Sequence, residues 1–283
     1  MNGAPAPGPF DPVSVQVTAD ALVELRLHHP LARELGLPES HDRLFWTEQG
    51  RTLAGMAAAV DPVYEQYNLV RYRWFCERMG EAAARMQQIL LLGAGLDTRA
   101  LTLPAFARHA PSVFEIDLPA TIAQKRAVLA QAGIAVPPHV HFVAADLGSD
   151  DLSAALDAAG YRAAQPTAVF AEGVLYFLPR ATAAAAVSPA HLRLAPGSTL
   201  ACDLWSATRQ AGLDRIVRAR TGRALFGEAA FGDSVADAAR WFEAAGYGDV
   251  TVTPLARIAA QYGLAPIADP HGEGWRVVMA GFA

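Results

Sequence analysis

The chain has 283 residues, 52% of them hydrophobic and 18% charged, a composition that supports a sizeable core and excludes general disorder. The formal net charge of −5, with no basic run, argues against a nucleic-acid-binding surface. Because no stretch approaches the roughly 18–20 apolar residues that cross a bilayer, and no signal-peptide pattern begins the sequence, we expect a cytoplasmic protein without membrane partners.

The first part of the sequence predicts a tail followed by helices. Residues 1–14 are rich in Pro and Gly, which is typical of disorder. From Ser14 to about Gly80 the apolar spacing is helical, with breaks at Pro30 and near residues 36–38 and 61–62. We therefore expect a tail and helical cap over residues 1–85, in front of a core over residues 86–283.

The core alternates short apolar strands with helices, which is typical of an α/β fold with a doubly wound, mostly parallel sheet. Seven strands are predicted, over residues 89–92, 112–116, 140–144, 167–171, 198–204, 249–254 and 275–281. Helices are predicted over residues 97–107, 119–132, 150–159, 180–194 and 234–245. No helix is predicted between the last two strands, which could pair antiparallel at one edge of the sheet.

A two-glycine turn follows the first strand, and glycines at such a turn let a ligand approach the main chain closely. The second strand ends in two carboxylates, and a carboxylate at this place can accept both hydroxyls of a ribose. The pattern predicts a site for an adenosine-type cofactor. The predicted contacts from these two strands are Gly93, Ala94, Gly95, Glu115, Asp117 and Leu118.

The residues after the turn distinguish between cofactors. A dinucleotide-binding turn requires a third glycine, but Thr98 stands at that position and Asp97 begins the helix. An acid at a helix start repels a pyrophosphate and favours a cationic ligand, such as the sulfonium or ammonium of S-adenosylmethionine. An NAD(P)-dependent oxidoreductase is the alternative, but it needs a pair such as Tyr–Lys, and the single lysine, Lys125, lies in the helix after the second strand.

Further polar residues follow the third and fourth strands, at the edge of the sheet where ligands bind. Asp146 and Leu147 are placed to meet an adenine, and Glu172 is placed beside the methionine moiety. Tyr176 lies in the loop after the fourth strand, where its hydroxyl could orient a substrate or its ring could pack against the cap. We interpret Glu172 and Tyr176 as the candidate catalytic residues. Each carboxylate that follows a strand could also be an ordinary helix cap or loop residue.

Residues 205–233 form a polar, Arg-rich stretch with several glycines, which we interpret as a substrate lid or a surface loop. Arg209, Arg215 and Arg218 could hold an acidic substrate by paired hydrogen bonds, or they could lie on a solvated helix face. The two cysteines match no metal-ligand spacing, so we expect no metal. The oligomeric state stays open, with a homodimer among the options.

Four motifs in chain order, LLGAGLDTRAL, VFEIDLPATIAQK, ADL and EGVLYFL, resemble the leucine carboxyl methyltransferase family, especially its bacterial branch of TcmP-like polyketide O-methyltransferases. The resemblance runs from about Tyr64 to Leu204 and implies a class I S-adenosylmethionine-dependent methyltransferase fold. It also implies an arginine that binds the cofactor carboxylate, for which Arg71 in VRYRWF is the best match and Arg73 the second. Cys76 departs from the family, which often has Asp there. The resemblance further assigns the methionine portion to Gly93 and Glu172, the ribose to Asp117, and the adenine to Asp146 and Leu147.

The resemblance and the residues together predict an O-methyltransferase that acts on a carboxyl or hydroxyl group of a small molecule, such as a polyketide-like secondary metabolite. A protein C-terminal carboxylate is the alternative substrate, and a non-catalytic cofactor-binding protein is a further alternative. A carboxylate acceptor is already ionised at pH 7, whereas a phenol benefits from a base. The sequence offers no obvious dedicated base.

Overall fold

The computed structural model describes residues 15–147, 152–227 and 231–283, so the predicted tail over residues 1–14 and the first residues of the helix predicted over 150–159 lie outside it. All seven predicted strands are present. They are β1 (Gln88–Leu92), β2 (Ser112–Asp117), β3 (Val140–Ala144), β4 (Thr167–Ala171), β5 (Ser198–Trp205), β6 (Gly248–Pro254) and β7 (Trp275–Phe282).

The strands form one sheet in the order β3-β2-β1-β4-β5-β7-β6, which confirms the predicted α/β class. The first five strands are parallel, and β7 is antiparallel to both β5 and β6. Every side chain of β1 and β4 is buried, because helices cover both faces of the sheet. Buried and exposed side chains therefore do not alternate along these strands. The chain adds β2 and β3 on one side of β1 and β4 on the other, so a crevice opens at the carboxyl ends of β1 and β4.

The helices precede the sheet as a cap and then alternate with its strands. Within residues 15–85 the structure contains helices and turns without a strand, as the sequence predicts. No helix in the described part of the chain is both long and apolar enough to span a membrane. The helices are α1 (Val15–His28), α2 (Pro30–Glu34), α3 (Glu48–Ala58), α4 (Tyr64–Arg85), α5 (Arg99–Thr102), α6 (Pro104–His109), α7 (Pro119–Gln131), α8 (Leu152–Ala158), α9 (Arg180–Ala186), α10 (Ala207–Thr221), α11 (Val235–Ala244) and α12 (Leu255–Gln261), with short 3₁₀ helices over Asp42–Phe45 and Leu175–Phe177.

Several helix predictions need correction. The helix predicted over 97–107 is two short helices, α5 and α6, because Pro104 begins a new helix at its first position. The helix predicted over 180–194 ends at Ala186, three residues before Pro189. The expectation of no helix between the last two strands is wrong, since α12 lies between β6 and β7.

The stretch predicted as a lid, residues 205–233, contains the 15-residue helix α10. Ser206 caps its start by accepting a hydrogen bond from the Arg209 backbone N–H, at 3.1 Å. Gly222 ends it with φ of 73°, the left-handed conformation that glycine adopts without strain. The helix therefore has clear local start and stop signals, and one face of it lines the central cavity described below.

Candidate functional site

A cavity of about 850 Å³ lies at the carboxyl ends of the strands. Residues from the cap, from the loops that follow β1 to β5, and from α10 line it. Its size lies within the range of pockets that bind drug-sized ligands. One part of the lining is polar and charged, and the other part is apolar. The polar part contains most of the residues predicted from the sequence.

The turn after β1 is shaped by its two glycines. Gly93 has φ of +62°, and a Cβ atom added there would lie 2.6 Å from Val174 Cγ2, so only glycine fits without rearrangement. Gly95 has φ of +50°, and its backbone N–H donates to Asp117 Oδ2 at 2.7 Å. The other carboxylate oxygen of Asp117 accepts from the Leu118 N–H at 2.7 Å. The main chain thus holds the Asp117 carboxylate at the cavity wall, between the ends of β1 and β2.

Arg71, from α4, is only 1% exposed and lies among three polar partners. Its Nε donates to Glu172 Oε1 at 3.2 Å, and its Nη1 donates to Tyr176 Oη at 2.8 Å and to Asp203 Oδ2 at 3.1 Å. Arg71 therefore joins the cap to the loop after β4 and to β5, at the floor of the cavity.

Arg99 forms the second half of this charged group. It binds Asp97 through several hydrogen bonds of 2.5–3.0 Å, and its Nη2 donates to Glu172 Oε2 at 2.5 Å. Burial opposes ionisation of Asp97, but the charge and hydrogen bonds of Arg99 outweigh it and lower the pKa of Asp97 to about 2. Glu172 bridges the two arginines. We call Arg71, Arg99, Asp97, Glu172 and Asp203 the charged cluster.

Asp203 and Arg99 belong to this cluster but were not predicted from the sequence. Asp203 is fully buried, and it accepts from the Gly173 N–H at 2.6 Å and from the Trp275 indole N–H at 2.9 Å. Burial raises the pKa of Asp203, and the charge of Arg71 opposes this rise. An acid inside the apolar run STLACDL is a signal for Asp203, because a buried carboxylate needs a cationic partner.

Tyr176 lines the cavity, and its ring stacks on Trp205 with centroids 4.0 Å apart. Burial raises the pKa of its phenol, although Arg71 opposes the rise. A phenol that is neutral over the physiological range cannot act as a general base. The placement favours a role in holding Arg71, while the predicted catalytic role of Tyr176 stays a prediction.

The remaining predicted residues of this edge also reach the cavity. Ala94, Leu118, Asp146 and Leu147 line it, together with Glu172. Asp146 and Leu147 follow β3, and two strands lie between β3 and β4, the strand before Glu172. The two ends of the polar part are thus separated by the strands β1 and β2. Their predicted cofactor contacts stay predictions.

Two predicted cofactor contacts do not lie at the cavity. Arg73, on α4, pairs with Glu77 at 3.0 Å and lies over the Tyr262 ring, because two residues along a helix separate it from Arg71 by about 200°. Glu115 is fully buried and pairs with Lys125 at 2.5 Å. Glu115 and Asp117 point to the same face of β2, but Glu115 lies about 7 Å before the end of the strand. Asp117, at the end of β2, is therefore the acid at the sheet edge that lines the cavity.

The Glu115–Lys125 pair should make stability depend on pH. Burial, partly offset by Lys125, raises the pKa of Glu115 from 4.5 to about 7. Between these values the folded chain binds more protons than the unfolded chain, so the free energy of unfolding should fall as pH rises. We expect Glu115→Gln to remove this slope in urea unfolding at a series of pH values. The matched control Glu81→Gln, at an exposed site on α4, should keep it, and equal slopes in both variants would contradict the assignment.

The three arginines predicted to hold an acidic substrate have other surroundings. Arg209 is fully buried, where it pairs with Asp61 and, at 3.2 Å, with Asp269. Arg218 pairs with Asp214 at 2.5 Å on the outer side of α10, and Arg215 is exposed. None of the three lines the cavity. The substrate-holding interpretation is therefore wrong for these residues. Helical spacing turns Arg215 and Arg218 to the solvated side of α10, and Arg209, in the first turn of the helix, is held by Asp61 and Asp269.

Comparison with known proteins identifies relatives and structural neighbours. The leucine carboxyl methyltransferase family model matches residues 14–190. A candidate S-adenosyl-L-methionine-dependent methyltransferase of Parafrankia sp. is 38% identical over 150 residues, which are 53% of this chain and 47% of that protein. A candidate methyltransferase of the same description from Mycolicibacterium gilvum is 35% identical over 171 residues, covering 58% of this chain and 68% of that protein. The chain thus spans about half the length of several curated relatives it matches.

Solved structures show the same fold. The structure of a candidate methyltransferase from Thermobifida fusca covers 93% of this chain and 94% of its own, with a TM-score of 0.61 and 21% identity. A DUF574 family protein from Streptomyces avermitilis covers 94% of this chain and 97% of its own, with a TM-score of 0.59 and 17% identity. At these identities the similarity shows the fold, a seven-stranded sheet with flanking helices.

Proposed function

Because the chain belongs to the leucine carboxyl methyltransferase family, we propose that it binds S-adenosylmethionine in the cavity and methylates an oxygen atom of a small molecule. The observation that carries this proposal is the charged cluster beside the turn after β1. Its three carboxylates, Asp97, Glu172 and Asp203, outnumber its two arginines, and a cationic zwitterion suits such a site better than a pyrophosphate does.

The residues present fit the cofactor. Gly93 leaves room beside Val174 that a Cβ atom would fill, and Asp117 presents a carboxylate held by two backbone N–H groups. The hydrogen bonds of Arg71 to described residues use its Nε and Nη1, which leaves the Nη2 donors for a ligand carboxylate. We assign the methionine end to Arg71 and Glu172, the ribose to Asp117, and the adenine to Asp146 and Leu147. When bound, S-adenosylmethionine supplies an electrophilic methyl group on a sulfonium.

The cavity lining favours a carboxylate acceptor over a hydroxyl. Among the described residues that line the cavity there is no histidine and no lysine. The Tyr176 phenol is held by Arg71, and Asp97 and Glu172 are paired with arginines. A carboxylate needs no base because it is ionised at neutral pH, whereas a phenol with a pKa of about 10 is not. The contribution of the chain is then to align the acceptor and to exclude water.

The proposed activity can be tested by methyl transfer from S-adenosylmethionine carrying a tritiated methyl group. A panel of aromatic carboxylic acids and the corresponding phenols serves as acceptors. We expect label in the carboxylic acids, and treatment with base should release it as volatile methanol, because an ester is hydrolysed and an ether is not. Base-stable label would move the acceptor to a hydroxyl. Absence of transfer to every acceptor, by a folded protein that binds the cofactor, would favour the non-catalytic alternative.

The ribose assignment predicts an effect of Asp117→Ala. Loss of its paired acceptor oxygens should weaken S-adenosylhomocysteine binding by about 1–3 kcal/mol, since each hydrogen bond contributes roughly 0.5–1.5 kcal/mol. Isothermal titration calorimetry measures the affinity. Asp146→Ala should weaken binding as well if the adenine lies at its predicted place, whereas Asp157→Ala, a surface control, should not. Unchanged affinity in Asp117→Ala would remove this residue from the site.

A further inference from the structure

Two helices, α3 and α10, form walls of the apolar part of the cavity, and each contributes apolar side chains at the same helical spacing. From α3, Leu53, Met56 and Ala57 line it at positions i, i+3 and i+4. From α10, the residues at the same spacing are Leu213, Ile216 and Val217. This spacing places each set on one face of its helix. The space beyond the charged cluster is therefore bounded by aliphatic side chains and suits an apolar ligand body.

Arg220 continues the cavity face of α10, one turn after Ile216 and Val217. Seven residues separate it from Leu213, which is about 10 Å along the helix axis at 1.5 Å per residue. Leu213 is 7% exposed, whereas Arg220 is exposed, so the helix runs from the buried interior to the mouth of the cavity. A guanidinium thus stands at the outer end of the apolar wall.

Arg220 differs from the other arginines that line the cavity. Arg26 pairs with Asp42 at 2.6 Å, and Arg71 and Arg99 bind the carboxylates of the charged cluster. Within residues 15–147, 152–227 and 231–283, Arg220 makes no ion pair or side-chain hydrogen bond. Among the described arginines that line the cavity, Arg220 is therefore the one whose N–H donors are available to a ligand.

We propose that the acceptor substrate has an apolar body and an anionic group at the end opposite its methyl-accepting oxygen, and that Arg220 binds this anionic group. This rests on the proposed function, since the charged cluster is taken to hold the cofactor and to place the accepting oxygen at the inner end. A guanidinium offers paired donors to a carboxylate, sulfonate or phosphate. Arg220 is then a specificity-determining residue that selects acidic, amphipathic acceptors over neutral ones.

Two fluorescent probes with the same aromatic skeleton can test this proposal. Anilinonaphthalene sulfonate carries an anionic group, and N-phenylnaphthylamine is its neutral counterpart. Both are titrated into the folded protein in the presence of saturating S-adenosylhomocysteine, which leaves the apolar part as the vacant space. We expect Arg220→Gln to weaken sulfonate binding about 2- to 5-fold, the range for a charge pair at an exposed site, and to leave binding of the neutral probe unchanged.

Two further variants complete the test. Arg218→Gln removes the same charge from the outer side of α10 and should leave both affinities unchanged. Val217→Asn places a polar group on the apolar wall and should weaken both probes, which locates them in the cavity. The proposal is overturned if Arg220→Gln changes neither probe, changes both equally, or matches Arg218→Gln. Failure of S-adenosylhomocysteine to bind, measured separately by calorimetry, would instead overturn the proposed function.

Discussion

Replacing Arg71 with methionine is expected to lower the free energy of unfolding by about 3–5 kcal/mol, the cost of leaving a buried ion pair without one partner. Arg71 is 1% exposed and is bound to Glu172 and to the fully buried Asp203. Methionine fills much of the volume but compensates neither carboxylate. Urea unfolding followed by circular dichroism measures the loss, and calorimetry should show no binding of S-adenosylhomocysteine.

Two matched variants separate the causes of this loss. Arg73→Met changes a partly exposed arginine on the same helix, which pairs with Glu77 and lies over the Tyr262 ring, and should lower stability by about 1 kcal/mol. Arg71→Met combined with Asp203→Asn should recover part of the stability, because the second change removes an uncompensated charge, but it should not restore cofactor binding. An Arg71→Met protein as stable as the wild type would show that the cluster does not depend on this ion pair.

Replacing Gly93 with alanine is expected to weaken S-adenosylhomocysteine binding by about 2–5 kcal/mol. A left-handed conformation costs a residue with a Cβ atom about 1–2 kcal/mol, and overpacking adds about 1–3 kcal/mol. The added Cβ would lie 2.6 Å from Val174 Cγ2, so the turn or the loop after β4 must move. Both segments line the cavity, and calorimetry measures the effect on affinity directly.

Gly133 provides a control for the backbone contribution. It has φ of +69° after α7, and a Cβ atom there would meet nothing within 4 Å. Gly133→Ala should therefore lower stability without changing cofactor affinity. Adding Val174→Ala to Gly93→Ala should restore a part of the affinity, since it removes the atoms that the new Cβ would meet. If Gly93→Ala binds the cofactor as the wild type does, the turn does not approach the ligand.

The sheet could be predicted because its strands are short apolar runs bounded by turn residues. Strands covered by helices on both faces typically have such continuous apolar sequences. It did not predict α12, a seven-residue helix between two strands, although Leu255, Ile258 and Ala259 have helical spacing and are buried. Pro254 is the last residue of β6 and the N-cap of this helix, so no turn residues separate the strand pattern from the helix pattern. Short elements of this kind carry too few residues for periodicity to identify.

In the candidate site, too, some residues could be predicted from the sequence and others could not. Residues that follow strands, such as Gly93, Asp117 and Glu172, could be predicted to lie at the cavity because topology fixes where strands end. Partners from distant parts of the chain could not: Asp203 meets Arg71 across 132 positions. Composition does not distinguish the arginines on α10, which are buried, exposed or cavity-lining. Arg209 and Arg220 lie on the same side of the helix, about 16 Å apart along its axis, so the first is buried and the second lies at the cavity mouth.

Isothermal titration calorimetry with the wild-type protein can compare the two classes of cofactor that the cavity is suited to bind or to exclude. We predict saturable binding of S-adenosylhomocysteine with one site per chain, and no binding of NADH at the same concentrations. The carboxylates of the charged cluster favour the first ligand and repel the pyrophosphate of the second. Binding of NADH by a folded protein that does not bind S-adenosylhomocysteine would contradict the assignment of the cavity to S-adenosylmethionine.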